Sequence, residues 1–245
     1  MKENMIDLPD VDRRVYRVFS RRRLLELLET QDLALVHPSK WDDPFENWFL
    51  KVDAVTPNGE TVSLRQLSEK WYGQCWTFHR DSDAMWRIYS PNKNGIRVAS
   101  TVGKLFSAIY DSDDKAAALK YFAGAVTYRP VEEIKRIMRE TSFWDVAVGG
   151  QNDGFARLLC LKRPEFAHEA EMRILVNDVD GSRGVDGLYK CKVEVPELIE
   201  EVAIDPRLRA EEVEATRNAL SRARCPEPII QSDLYQFQME PIRIQ

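Results

Sequence analysis

Lys162-Arg163-Pro164-Glu165-Phe166-Ala167-His168-Glu169-Ala170-Glu171-Met172-Arg173-Ile174-Leu175-Val176 is the stretch on which the reading of this chain turns. Read as a strand, it sends successive side chains to opposite sides. Glu169, Glu171, Arg173 and Leu175 then share one face, and Ala170, Met172, Ile174 and Val176 the other. The second face is plainly core. The first carries two carboxylates and a guanidinium, so it is either a solvent-facing edge or the wall of a polar cleft, and alternation alone does not choose.

Around this stretch the composition is that of a packed protein. The chain has 245 residues, 44% hydrophobic and 10% aromatic, which is ample for a core and unlike a disordered segment. A formal charge of −5 argues against general affinity for nucleic-acid backbones or anionic membranes, although Arg21-Arg22-Arg23 makes a local basic spot at a helix start. No apolar run approaches the roughly 18–20 residues needed to cross a bilayer. Met1-Lys2-Glu3-Asn4-Met5-Ile6-Asp7 lacks the regions of a signal peptide, so the expected location is the cytoplasm, with no membrane partner. Cys75, Cys160, Cys191 and Cys225 form no C-x-x-C pair, and His37, His79 and His168 no H-E-x-x-H spacing; no metal site is assigned. Gly149-Gly150 and Gly181, Gly184 and Gly187 mark turns, since neither cluster has phosphate-loop spacing.

Along the chain the periodicity predicts a strand at Val15–Phe19, a helix capped by Ser20, and a strand at Leu33–Val36. Pro38-Ser39-Lys40-Trp41-Asp42-Asp43-Pro44-Phe45-Glu46 is a structured loop anchored by Trp41 and Phe45. A strand around Asn47–Val55, a helix around Ser63–Tyr72 and a strand at Gln74–Phe78 follow. Asp81-Ser82-Asp83 then caps a short helix through Tyr89. Further expectations are a strand at Gly95–Ser100, a helix at Val102–Tyr110, a strand over Leu119–Tyr128 and a helix at Val131–Glu140. After the Glu169 strand come a hairpin near Asp180–Gly187, strands at Leu188–Val195 and Glu201–Pro206, a helix at Ala210–Ala223 and a strand-like Ile229–Tyr235. Strands and helices intermix without regular βαβ repeats. That pattern predicts an α+β fold, a single domain over 1–245, with a mixed, largely antiparallel sheet and flanking helices.

Trp41-Asp42-Asp43-Pro44-Phe45-Glu46, Cys75-Trp76-Thr77 with Met85-Trp86 and Tyr89, and Gly95-Ile96-Arg97-Val98 together resemble the bacterial domain-of-unknown-function family 2971. The resemblance continues through Lys162, Phe166, Glu169, Glu171 and Arg173, then Leu198-Ile199 with Val202, and Ser232 with Tyr235. More distantly, the arrangement resembles the ADP-ribosyltransferase fold, in which an early strand offers Arg or His, a middle strand Ser, Thr or Tyr, and a late strand Glu. That resemblance implies NAD as substrate, with transfer of ADP-ribose to a protein or nucleic-acid acceptor or hydrolysis of NAD, an activity suited to a bacterial toxin or phage-defence effector. It implies Glu171 as the catalytic carboxylate and Glu169 as the acceptor-side residue. Arg17 and neighbouring Tyr16 would bind the cofactor's phosphate or ribose, Thr77 would support the strand, Trp86 or Tyr89 would stack on nicotinamide, and Arg173 would join the cofactor-binding set; read from the strand face alone, Arg173 instead neutralises Glu171. The chemistry asks for such a set, because cleaving the nicotinamide–ribose bond builds positive charge on the ribose that a carboxylate stabilises. A Glu-x-Glu pair on a strand sets its carboxylates about 7 Å apart on one side.

Two alternatives stand beside this one. The clustered carboxylates of Asp42, Asp43 and Glu46 are of the kind that hold Mg²⁺ for phosphodiester cleavage, and with Lys162, Glu169 and Glu171 they would make up a nuclease site. A non-catalytic module that binds a partner or ligand through Trp41, Trp76 and Trp86 needs no chemistry at all.

Overall fold

The computed structural model describes residues 2–41, 43, 53–55, 58–63, 69–140 and 153–237. Its strands are β1 (Met5–Ile6), β2 (Arg14–Ser20), β3 (Asp32–Val36), β4 (Asp53–Val55), β5 (Thr61–Ser63), β6 (Trp71–Thr77), β7 (Gly95–Thr101), β8 (Tyr121–Ala125) and β9 (Thr127–Tyr128), then β10 (Leu161–Lys162), β11 (Glu171–Asn177), β12 (Leu188–Lys192), β13 (Glu201–Ile204) and β14 (Ile229–Gln231). Ten of them form one sheet in the order β1-β8-β11-β6-β2-β7-β13-β14, with β3 joining β6 and β12 joining β3. Pairing is antiparallel except between β1 and β8 and between β13 and β14, so the sheet is mixed and largely antiparallel, as the sequence predicts.

β11 lies inside the sheet, in seven-residue register with β6 and paired on its other edge with β8. Both of its faces are covered. Met172, Ile174 and Val176 enter the main core with Leu24, Val98, Phe106 and Val202, while Leu175 enters a second core with Trp71, Phe122, Phe155 and Leu159. Trp71 stacks on Phe155 at 5.3 Å between centroids and tilts against Phe122 at 5.7 Å. Each such aliphatic side chain contributes about 1.5–3 kcal/mol on burial.

Around the sheet pack helices at Arg21–Thr30, Asp83–Tyr89, Val102–Ile109, Val131–Glu140 and Ala210–Arg222. The side chain of Ser20 accepts from Arg23 N and that of Ser82 from Met85 N, the two caps the sequence predicts. Among the described residues no helix is long and apolar enough to cross a membrane.

Several expectations are corrected. The strand does not reach Glu169: Pro164–Glu169 is a 3-10 turn, Ala170 takes a left-handed φ of 41°, and β11 starts at Glu171. Alternation passes over Ala170 because a positive φ leaves no mark on apolar periodicity. Leu119–Tyr128 is not one strand; a helical turn at Ala117–Lys120 precedes β8, and Val126 N turns to Glu171 O between β8 and β9. The residues flanking Asp180–Gly187 do not form a hairpin of paired strands, since β11 pairs with β6 and β8 while β12 pairs with β3. Both ends of the helix expected at Ser63–Tyr72 are strand, Ser63 closing β5 and Tyr72 lying in β6. Beyond Gln231 the chain leaves β14 for a turn at Leu234-Tyr235. Asp42, Pro44, Phe45 and Glu46, the start of the Asn47–Val55 strand, the middle of the Ser63–Tyr72 segment, and Gly149-Gly150 lie outside the described residues.

Candidate active site

β6 has two different neighbours along one edge. At its end Thr77 pairs with Tyr16 of β2, and near its start Gly73 pairs with Val36 of β3. Between those points the sheet divides, and side chains take over the bonding: Gln74 donates to Ala34 O at 3.0 Å and Trp76 Nε1 to Gln74 Oε1 at 2.8 Å. Arg17 Nη1 reaches across to Cys75 O. A cavity of about 50 Å³ sits at this division. Among the residues lining it are Tyr16, Arg17, Thr77, Tyr89, Glu169 and Glu171, six of the eight the sequence reading selects.

The polar face of β11 is therefore buried, not a solvent edge. Glu171 is 4% exposed and Arg173 0%, and Glu169, in the turn before the strand, is 7% exposed. Arg173 lies in register with Cys75 on one side and Gly124 on the other, with the Trp41 ring 4.3 Å from its guanidinium. Arg173 grips Glu171 with a two-pronged fork, Nε to Oε1 at 2.8 Å and Nη2 to Oε2 at 3.0 Å, and its Nη1 donates to Leu159 O.

Lys162 completes the arrangement. β10 pairs with β9 so that Lys162 stands beside Tyr128, and the ammonium bridges both carboxylates, 2.5 Å from Glu169 Oε2 and 3.0 Å from Glu171 Oε2. Tyr89 donates to Glu169 Oε1 at 3.1 Å, and Tyr128 accepts from Glu171 N at 2.8 Å. Thr77 Oγ1 donates to Glu169 O at 2.5 Å, which pins the turn that brings Glu169 back to the site. The two carboxylates thus converge through Lys162 and Thr77, not through strand alternation.

Burial alone would raise the Glu171 carboxyl, but the Arg173 charge and fork, with Lys162 and the Cys75 thiol, more than offset it and hold its pKa at about 2. Burial pushes Tyr128 up to about 12 and Tyr89 higher still, and burial beside Glu171 raises the Cys75 thiol. Burial also lowers Arg17, against the pull of Cys75, Tyr89 and Glu171, though a guanidinium remains charged. Among the described residues Arg17 has no carboxylate within ion-pair distance, and its Nε has no hydrogen-bond partner.

Two selected residues stand behind the cavity. Arg173 acts on Glu171, and Trp86 is 1% exposed with its indole N–H on Asp81 Oδ1 at 2.5 Å, so from this helix it is Tyr89, one turn on, that lines the cavity, with Tyr16 and Trp76 from the sheet. The helix bearing both is held at its two ends. Asp81 pairs with Arg97 at 2.5 Å and accepts from Ser232 at 2.9 Å; Asp205 accepts from Ser90 at 2.6 Å and pairs with Arg207 at 2.6 Å, whose Nη2 also donates to Trp86 O and Ser90 O. Lys162 as a bridge and Tyr128 as a support have no sequence signal in their local periodicity. For the nuclease alternative, Asp43 is engaged by Arg163 at 3.0 Å, and among the described residues no three His, Cys, Asp or Glu side chains gather as a metal would require.

Residues 85–174 match the family described as Protein of unknown function (DUF2971). No curated protein matches the chain. Among solved structures, Thermus sp. 2.9 DarT in complex with NAD+ is 15% identical over 92% of this chain and 98% of its own, with a TM-score of 0.41. The same protein in complex with ADP-ribosylated ssDNA is 14% identical over 90% of this chain and 93% of its own, with a TM-score of 0.40. Both are loose overlaps.

Proposed function

We propose that the cavity takes the nicotinamide end of NAD and cleaves the nicotinamide–ribose bond, passing ADP-ribose to a protein or nucleic-acid acceptor or to water. The observation that carries this reading is one wall holding an ionised Glu171 beside Arg17, a cation with no carboxylate of its own among the described residues. Bond cleavage leaves positive charge on the ribose, and a carboxylate already charged and already held needs no reorganisation to stabilise it. Lys162 and the Arg173 fork place two donors on Oε2 and one on Oε1, and the Cys75 thiol is a fourth, weaker donor whose place a ribose hydroxyl would take.

In this reading Arg17 takes a phosphate, for which a guanidinium fork is suited, and Tyr16 flanks it. Tyr89 offers its ring to nicotinamide and Thr77 fixes Glu169. The sheet draws strands from Met5 to Gln231, which supports treating the chain as one domain.

The test is nicotinamide release from NAD by purified wild type and Glu171→Gln, with circular dichroism to establish that both are folded. Release should fall by about 10²–10³ in the variant, the usual effect of removing one electrostatic stabiliser. Undiminished release from a folded Glu171→Gln would overturn the assignment of Glu171.

A further inference from the structure

An acceptor-side carboxylate, the role the resemblance gives Glu169, would suit a cationic acceptor such as a guanidinium, and the geometry opposes one. Glu169 is already supplied with a cation: Lys162 lies 2.5 Å from Oε2, and the Tyr89 hydroxyl donates to Oε1. Glu171 is likewise supplied by the Arg173 fork and by the same Lys162. Lys162 is 7% exposed, so its ammonium is a fixed part of the wall.

With Arg17 at the cavity, and Lys162 and Arg173 bonded to the carboxylates from behind, three cations stand against Glu169 and Glu171. An incoming guanidinium needs a carboxylate with both oxygens open to a fork. Here it would meet a carboxylate whose charge is balanced, with a buried ammonium directly behind it, and like charges at such distances repel strongly where water is excluded. A neutral donor meets no such barrier, because it asks only for a lone pair.

Resting on the NAD-cleaving reading, we infer that Lys162 occupies the seat an acceptor cation would take, and that the acceptor is a neutral nucleophile: a hydroxyl, an amide N–H or water. In the reaction the bond between ribose C1′ and the nicotinamide nitrogen breaks, and its electron pair leaves on nicotinamide, which becomes neutral. A lone pair of the acceptor oxygen or nitrogen forms the new bond to C1′, and the acceptor's proton passes to solvent, one for each NAD consumed.

Agmatine, a small guanidinium, tests this by calorimetry without NAD. Wild type should show no saturable binding at millimolar agmatine, whereas Lys162→Met should gain binding that the further change Glu169→Gln removes. Saturable binding to wild type that Glu169→Gln abolishes would overturn the inference, and so would a folded Lys162→Met that fails to bind. Should Lys162→Met not fold, wild type decides: with NAD present, ADP-ribosyl-agmatine detected by mass spectrometry counts against the inference, and continued nicotinamide release without that product supports it. If NAD is not cleaved under any condition, the proposed function fails on its own, and agmatine binding to wild type still decides whether the site refuses a cation.

Discussion

Glu171 sets the pH behaviour at the level of single residues. Its folded pKa, about 2, lies below the ordinary 4.5, so it adds stability above the unfolded value and loses that contribution as pH falls from about 4.5 towards 2. The contribution is on the order of 3 kcal/mol. Denaturant titrations across that window should show the advantage of wild type over Glu171→Gln shrinking with acidity; a constant difference would contradict the assignment. Arg173→Met should cost about 3–5 kcal/mol, since it leaves a buried carboxylate without its fork, and Glu171→Gln in the same chain should recover part of the loss. Glu169, Glu171 and Arg173 are legible because charges on a half-apolar run stand out, whereas Arg17, Tyr16, Thr77 and Tyr89 come only through the resemblance. Lys162 is singled out in the sequence, but its role as a bridge is not legible, since its partners are set by β10 pairing with β9, and Trp86 misleads because an aromatic at helical spacing looks the same whether it faces a cavity or Asp81.

Among the elements, the Asp83–Tyr89 helix has seven residues, too few to persist in water without anchorage. Its anchors are the Asp81–Arg97 pair at the start and the Asp205–Ser90–Arg207 cluster at the end. Asp205→Ala should therefore cost about 3–5 kcal/mol and speed hydrogen exchange at the amides of this helix more than elsewhere. Tyr235→Phe, which removes only the phenol's bond to the exposed Asp83, should change stability by about 0.5 kcal/mol or less in the same denaturation assay. Helix starts were readable because Ser20 and Ser82 cap locally. Strand partners were not: turn-forming residues at Asp180–Gly187 suggest a local reversal, while β12 finds β3 more than 140 residues away.

For the molecule as a whole, β11 ties the two cores together, one on each face of the same strand. Leu175→Ala, about 2–5 kcal/mol destabilising, should lower a single calorimetric transition without splitting it. Gly124→Ala belongs to the same scale, because its Cβ would collide with the Cys160 sulfur in the second core; about 1–3 kcal/mol of destabilisation is expected from equilibrium denaturation. The α+β class follows from the mixture of periods, but the division of the sheet at β6 depends on pairings distant in sequence. That division bears on kinetics. A space of about 50 Å³ is small against the roughly 300 Å³ or more of ordinary ligand sites. On the NAD-cleaving reading the dinucleotide would bind a wider conformer, and its apparent affinity would be discounted by that conformer's population. Association measured by stopped flow should level off with rising ligand concentration, at the rate of widening. Slackening the Asp205 anchor would then weaken the fold and quicken capture at once.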